Sequence, residues 1–258
     1  MKRLVVSQPM FLPWRGIFEQ IKLADVFVFY DDVQLPEGGG KGRSFMTRVQ
    51  IKTPKGQEWL SAPIARSGHA YQLIRDAEFA PTDWRQRHLG KLKQVYRRAP
   101  HFRPIWSEVV TPIYAFETPY LSAFCIHAMR VIAERLGLRP AWHISSELGI
   151  GTEGVDSSER LLELCRAFGA QEYVTGHGAA NYLEHAIFDA AGVRVAYMDY
   201  RLSPYPQLYG EFIPYVSILD LLFNVGDDAP AYLDSQAVLW SEWDGLQQLR
   251  ARGAGQPV

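Results

Sequence analysis

Only two of the 258 residues are cysteines, Cys125 and Cys165. That is too few for a disulfide scaffold or for a zinc site built on cysteine. Long apolar runs are missing as well: Lys, Arg, Asp or Glu interrupts every apolar region short of the roughly 20 residues of a membrane span. The first run, Leu4-Val5-Val6, stops at Ser7-Gln8-Pro9, far shorter than the apolar region of a signal peptide. Charge of one sign is also absent, 27 Lys+Arg standing against 28 Asp+Glu for a net charge of −1. No whole-molecule field therefore draws the chain to nucleic acid or to an anionic membrane. The expectation is a cytoplasmic protein with no nucleic-acid or membrane partner, in which any anion site is local. His127 and His143 lack metal-ligand spacing to a nearby His or Cys, so no metal site is expected.

What is present is an ordinary globular composition, 47% hydrophobic and 21% charged, with a high aromatic share of 13%. Many of the aromatics sit with proline in loops, where they can wall a ligand as well as fill a core. Leu4-Val5-Val6 and Val26 to Tyr30 read as buried strands, and Ile17, Phe18, Ile21 and Leu23 between them recur at roughly helical spacing. Arg43 to Ile64 reads as a β-hairpin around Thr53-Pro54-Lys55-Gly56. Asp83 to Arg98, about Pro104 to Tyr114, and about Tyr120 to Leu136 read as helices. Beyond them come a strand at Ala141 to Ile144 and a helix from Arg160 to Phe168, preceded by the capping-box spacing of Asp156 to Glu159. A βαβ unit follows, with strands Glu172 to Thr175 and Val193 to Met198 around a helix from about Ala180 to Ala190. The fold expected is α/β, a mostly parallel sheet flanked by helices. It occupies one domain over residues 1–226, with a hairpin insertion at about 43–64 and a helical insertion at about 82–137, and residues 227–258 form a C-terminal extension.

Four segments can carry chemistry, because ligands in open α/β sheets bind at the carboxyl ends of the strands. In the loop Gln8 to Gly16, Gln8 offers an amide and Trp14 a stacking face; the alternative is a rigid turn with Trp14 in the core. Asp31-Asp32, with Gln34, can bind Mg²⁺ through water, accept from a sugar hydroxyl or deprotonate an amine, or simply cap a helix or turn. Strand alternation sends the two carboxylates to opposite sides, so at most one faces a site. Gly38 to Arg43 is glycine-rich with Lys41 and Arg43 but lacks Walker spacing; a surface loop or a lid over an anion are its two readings. Gly176-His177-Gly178 precedes an expected helix, whose N–H groups would favour an anion or oxyanion, with His177 as base or donor; a plain tight turn is the alternative. Cys165 and Cys125 read as packing. Seven Lys or Arg with no acid from Arg85 to Arg103 read as a solvated face or a dock for an acidic partner.

The chain also resembles the WbqC-like family of bacterial proteins. The likeness rests on Gln8 to Phe18, Asp31-Asp32-Val33-Gln34, Arg48 through Ile51-Lys52-Thr53, Trp59-Leu60, Ala99 to Phe102, Ser158 to Leu161 leading to Gly169-Ala170, Tyr173 to Leu183, and Phe212 to Asn224. The resemblance implies a setting in O-antigen or other surface-polysaccharide biosynthesis, and a glycine transferase role has been suggested for one member. Two stretches depart from the pattern. Pro36 to Arg43 is glycine-rich where the family carries aromatic residues and asparagine, and Thr175-Gly176-His177 stands where Ser-Gly is usual. His177 is thus a reading of this loop and not of the resemblance. The N-terminal strand, loop and helix are also similar to nucleotidyltransferases and pantothenate synthetase in fold, without their His-x-Gly-His signature.

Together these readings point to a transferase that forms an amide by moving a glycyl or other small acyl group onto a nucleotide-linked amino sugar. Asp32 or His177 takes the amine proton, Gln8 and Trp14 seat the acceptor with Asp31 and Gln34, and Gly176 and Gly178 hold an oxyanion or phosphate. Arg48 and Arg160 grip phosphate or carboxylate. The acyl group is activated either as an adenylate, with ATP and Mg²⁺, or as a thioester on coenzyme A or an acyl carrier protein. The rival is a non-catalytic sugar-nucleotide or metabolite-binding protein that assists an assembly enzyme.

Overall fold

Valine and phenylalanine favour extended backbone and pack well on both sides of a pleated surface. In the computed structural model, which describes residues 1–36, 46–65, 72–150 and 157–243, those runs form the centre of a six-stranded sheet. Its strands are β1 (Arg3–Ser7), β2 (Val26–Phe29), β5 (Ala141–Ile144), β6 (Glu172–Thr175), β7 (Arg194–Asp199) and β8 (Gln236–Leu239), in the order β5-β2-β1-β6-β7-β8. The first five are parallel and β8 runs antiparallel to β7. A separate antiparallel hairpin joins β3 (Arg48–Thr53) and β4 (Gly56–Ser61).

Alternation along the strands sorts the side chains into two cores. Val5, Phe27, Phe29, Val174, Ala196 and Met198 pack against α1 (Arg15–Leu23), α5 (Leu121–Arg135), α8 (Ile218–Val225) and the hairpin. Leu4, Val6, Val26, Val28, Tyr173, Val195 and Tyr197 pack against α6 (Ser157–Phe168) and α7 (His185–Ala190). Both faces are covered, which is why these strands read as unbroken apolar runs. From β1 the chain steps through β2 to β5 on one side and through β6 and β7 to β8 on the other. The order therefore reverses between β1 and β6, and the carboxyl ends of those strands are where this architecture seats ligands.

Between the hairpin and β5 the chain forms α2 (Trp84–Tyr96), α3 (Phe102–Ile105), α4 (Thr111–Ala115) and α5. A π-helical stretch, Trp106–Val110, joins α3 to α4 without a break. Pro112 has no N–H and crowds the carbonyl four residues back, and the wider turn before it relieves that contact. The chain after β6 departs from expectation. A single 3₁₀ turn, His177–Asn181, comes first, and α7 begins only at His185. Ser158 on α6 accounts for the interruption, because its hydroxyl donates to Tyr182 O (3.4 Å) and accepts from Glu184 N–H (3.0 Å), capturing backbone groups that a helix needs. Near the C-terminus, Gln236–Leu239 supplies the last strand of the sheet. The capping-box residue Asp156 and the loop Gly38 to Arg43 lie outside the described residues.

A buried polar node fastens the hairpin, α2 and α8 to the loop that follows β7. Asp220 accepts from Tyr96 Oη and Tyr205 Oη, each at 3.0 Å, while Lys52 donates to Gln207 Oε1 (3.1 Å) and Gly210 O (3.0 Å). Burial, opposed by the two phenols and Lys52, pushes the Asp220 carboxyl up to about 6.

Candidate functional site

At the end of β2 the two adjacent carboxylates are both engaged. Asp31 is buried and caps the turn after β5, accepting from Ser146 N–H (3.1 Å), Ser146 Oγ (2.9 Å) and Ser145 Oγ (3.2 Å). Asp32 pairs through Oδ2 with the Arg160 guanidinium, and its Oδ1 accepts from the Ser145 hydroxyl. Arg160, only 7% exposed, reaches the pair from the first turn of α6 and lies over the Tyr30 ring at 4.5 Å. Burial raises the Tyr30 phenol above its ordinary value, with Arg160 pulling down and Asp32 pushing up. The result is a compact anion–cation–phenol group on the α6 side of the sheet edge.

The second group gathers on the loop after β6. His177 Nε2–H donates to Met198 O at 2.6 Å, so in the neutral ring Nδ1 carries the lone pair. Its imidazole is flanked by Tyr200 (5.2 Å between ring centroids) and Trp243 (4.7 Å). Gly176 lies in close approach: a Cβ there would stand 3.3 Å from both Gln20 Nε2 and Tyr200 Oη, which hydrogen-bond to each other at 2.7 Å, and those side chains would have to give by a few tenths of an ångström. Gly178 is exposed and meets no such constraint. The 3₁₀ turn His177–Asn181, which contains Gly178, is too short to present the helix N-terminus expected from the sequence, so the loop's own N–H groups are what it can offer an anion.

Trp14 closes this side. Its indole lies across Gly16, where an added Cβ would come within 2.3 Å of the ring, and it packs on Tyr200 (4.9 Å) and Tyr215 (5.3 Å). Gln8 is half-buried at the carboxyl end of β1, between the two groups. Strands β2 and β6, which lead to Asp32 and His177, are two positions apart, roughly 10 Å. Gln34 is exposed and its backbone bridges to Leu73. Arg48 sits on the hairpin with its guanidinium 4.0 Å from the Trp59 ring centroid. The edge thus unites Asp32 with Arg160, and separately His177 with Gly176 and Trp14, whereas Arg48 and Gln34 belong to other contacts. Sequence reasoning missed Tyr30, Ser145, Gln20, Tyr200 and Trp243. Tyr30 and Tyr200 had a signal, since each immediately follows an apolar strand; the others had none.

Cys125 and Cys165 are buried thiols, that of Cys165 pushed up to about 12 by burial, which suits packing and not nucleophilic attack. Among the described residues no group of three or more His, Cys, Asp or Glu could hold a metal ion, and no helix is long and apolar enough to cross a membrane.

A doubly wound α/β sheet with a polar, aromatic-walled carboxyl edge is the class this geometry defines. The chain belongs to the WbqC-like protein family, which it matches over residues 8–232. It is 38% identical over 237 residues to the uncharacterized protein Rv1507c of Mycobacterium tuberculosis, an alignment spanning 90% of this chain and 98% of that one. No solved structure matches it.

Proposed function

We propose that this protein transfers a glycyl or other small acyl group to the amine of a nucleotide-linked amino sugar, forming an amide in the cytoplasmic stage of surface-polysaccharide or related biosynthesis. Family membership supports the setting. The observation that carries the chemistry is His177, whose Nε2–H is fixed on Met198 O so that Nδ1 is the proton acceptor. In this reading the amine attacks the acyl carbon, a C–N bond forms, the bond to the leaving group breaks, and the amine proton passes through Nδ1 to that group. Asp32 is less suited to the task because Arg160 and Ser145 occupy both of its oxygens. It acts instead by holding Arg160, whose remaining N–H groups receive the acceptor's phosphate. N–H groups of the Gly176–Gly178 loop face the developing oxyanion, while Gln8 and Trp14 seat the sugar.

The donor is an acyl adenylate or a thioester. A thioester on an acidic carrier protein would dock on α2 and the turn that follows it, where Arg87, Lys93, Arg97 and Arg98 are exposed and form no ion pair among the described residues. The engagement of Asp32 also favours a second reading, a non-catalytic sugar-nucleotide-binding protein, which needs Arg160 but no base.

Thermal unfolding with ATP and Mg²⁺, UDP- and dTDP-amino sugars and acyl-coenzyme A, followed by mass spectrometry of each mixture, separates the two. A ligand at a hundred times its Kd adds about 2.7 kcal/mol. A shift with amide product, lost in His177→Ala without loss of folding, is the expected result. A shift with no product under any donor selects the binding protein, and full turnover in His177→Ala removes the base.

A further inference from the structure

The ring contacts at the sheet edge continue past His177 into the C-terminal segment, beyond the residues that match the family. Trp243 sits 4.7 Å from the His177 ring and stacks on Tyr197 at 4.5 Å with 17° between planes. Three residues earlier, Trp240 stacks on His185 at 4.6 Å, and His185 shares a 2.9 Å hydrogen bond with Tyr197 Oη. Both tryptophans are delivered by β8, and the approach to β8 is fastened at several points. Lys22 donates to Leu233 O (2.6 Å), Ser203 Oγ to Asp234 Oδ2 (2.7 Å), and the Arg201 N–H to Ser235 Oγ (3.1 Å). Such a tethered strap places a large rigid ring at a fixed position.

His177 needs such a neighbour. Its one described hydrogen bond holds Nε2, and a ring held at a single atom can still tilt about that bond. Tyr200 contacts the imidazole, and Tyr200 is itself held by Gln20 and Trp14. Trp243 is the further ring contact, and it arrives from a distant part of the chain. We propose that Trp243 is a positioning residue for His177: its indole fixes the tilt of the imidazole and screens it from bulk water, so that Nδ1 is presented to the strand ends. The catalytic value of this arrangement rests on the reading of His177 as the base; the placement does not.

Carbethoxylation by diethyl pyrocarbonate tests the placement without any substrate, because the reagent attacks the unprotonated imidazole nitrogen. Peptide mass mapping of the intact protein follows His177, with His127 on α5 as internal reference. Trp243→Ala should label severalfold faster than wild type at His177 and equally at His127, while Trp243→Phe, which keeps a ring, should stay near wild type. Equal His177 rates in Trp243→Ala and wild type overturn the proposal, as does equal acceleration by Phe and Ala. Should Trp243→Ala fail to fold, Trp243→Leu keeps the bulk without the ring and carries the same two outcomes. In turnover, Trp243→Ala should lower kcat with little change in KM, and Trp243→Phe should recover it. If no donor yields product, the base assignment falls while the labelling rates still decide whether Trp243 holds His177.

Discussion

Tyr96 donates a 3.0 Å hydrogen bond to Asp220, and neither side chain reaches solvent. A second phenol, Tyr205, and Asn224 satisfy the other carboxylate oxygen. Even so, burial outweighs these bonds and Lys52, and the carboxyl is pushed up to about 6 from 3.8. The folded protein therefore holds a proton that the unfolded chain has released between about pH 4 and 6, and stability falls as pH rises through that window. The loss amounts to about 3 kcal/mol once the carboxylate is fully charged. Asp220→Asn should abolish this component, so that relative to wild type its urea midpoint improves on going from pH 4 to pH 6.5. An unchanged pH profile would mean that Asp220 is already charged at pH 4.

His88 works in the opposite direction within nearly the same window. Its Nε2–H donates to Ser61 O at 3.1 Å and its Nδ1 accepts from Tyr114 Oη at 3.3 Å, leaving no site for a second proton. Burial lowers it to about 4 from 6.5. Here the unfolded chain binds the extra proton, so stability rises between pH 4 and 6.5 by about 3 kcal/mol. The two groups nearly cancel. His88→Gln should expose the Asp220 component, giving a urea midpoint that falls, relative to wild type, as pH is raised from 4 to 6.5.

Asp32 and Arg160 make the strongest claim on stability at the candidate site. Both are nearly withdrawn from water, with 13% and 8% of their side-chain surfaces exposed. Removing one member leaves the other charged and buried, so Arg160→Ala should cost about 3–5 kcal/mol in urea denaturation. Arg160→Met should lose a similar amount, Asp32→Asn/Arg160→Met removes both charges and should recover most of it, and the cycle through Asp32→Asn and Arg160→Met reads the coupling directly. A loss below about 1 kcal/mol in Arg160→Ala would mark the pair as solvated.

The legible parts of this protein are those in which neighbouring residues decide the structure. Val26 to Phe29 is apolar on both faces and could only be an internal strand of a covered sheet. Thr53 to Gly56 could turn the hairpin without help from elsewhere. What escaped the sequence is set at long range. Ser158 cuts the helix after Gly178 from a position on another helix, and Ser145 fixes both Asp31 and Asp32 from more than a hundred residues away. Gln236–Leu239 is short and only partly buried, with no alternation to mark it as the strand that carries Trp243. In the site itself, the Gly-x-Gly loop was visible as a place of close approach. Which groups approach it was not, since Gln20 and Tyr200 are neighbours of Gly176 only in the folded chain.

Trp14 and Gly16 give the most local test of that edge. Alanine is ordinarily preferred to glycine in a helix by up to about 1 kcal/mol. At Gly16 its methyl group would stand 2.3 Å from the Trp14 indole, which is itself held by Tyr200 and Tyr215. Relief requires the indole to swing away from both rings, and overpacking of this kind costs about 1–3 kcal/mol. Gly16→Ala should therefore be destabilising in the wild-type background, with a changed tryptophan emission spectrum. In a Trp14→Ala background the obstacle is gone, and the same substitution should become neutral or stabilising as helix propensity dictates. If Gly16→Ala is equally destabilising in both backgrounds, the indole is not what requires glycine at this position, and Trp14 loses its fixed place beside Tyr200 in the wall of the candidate site.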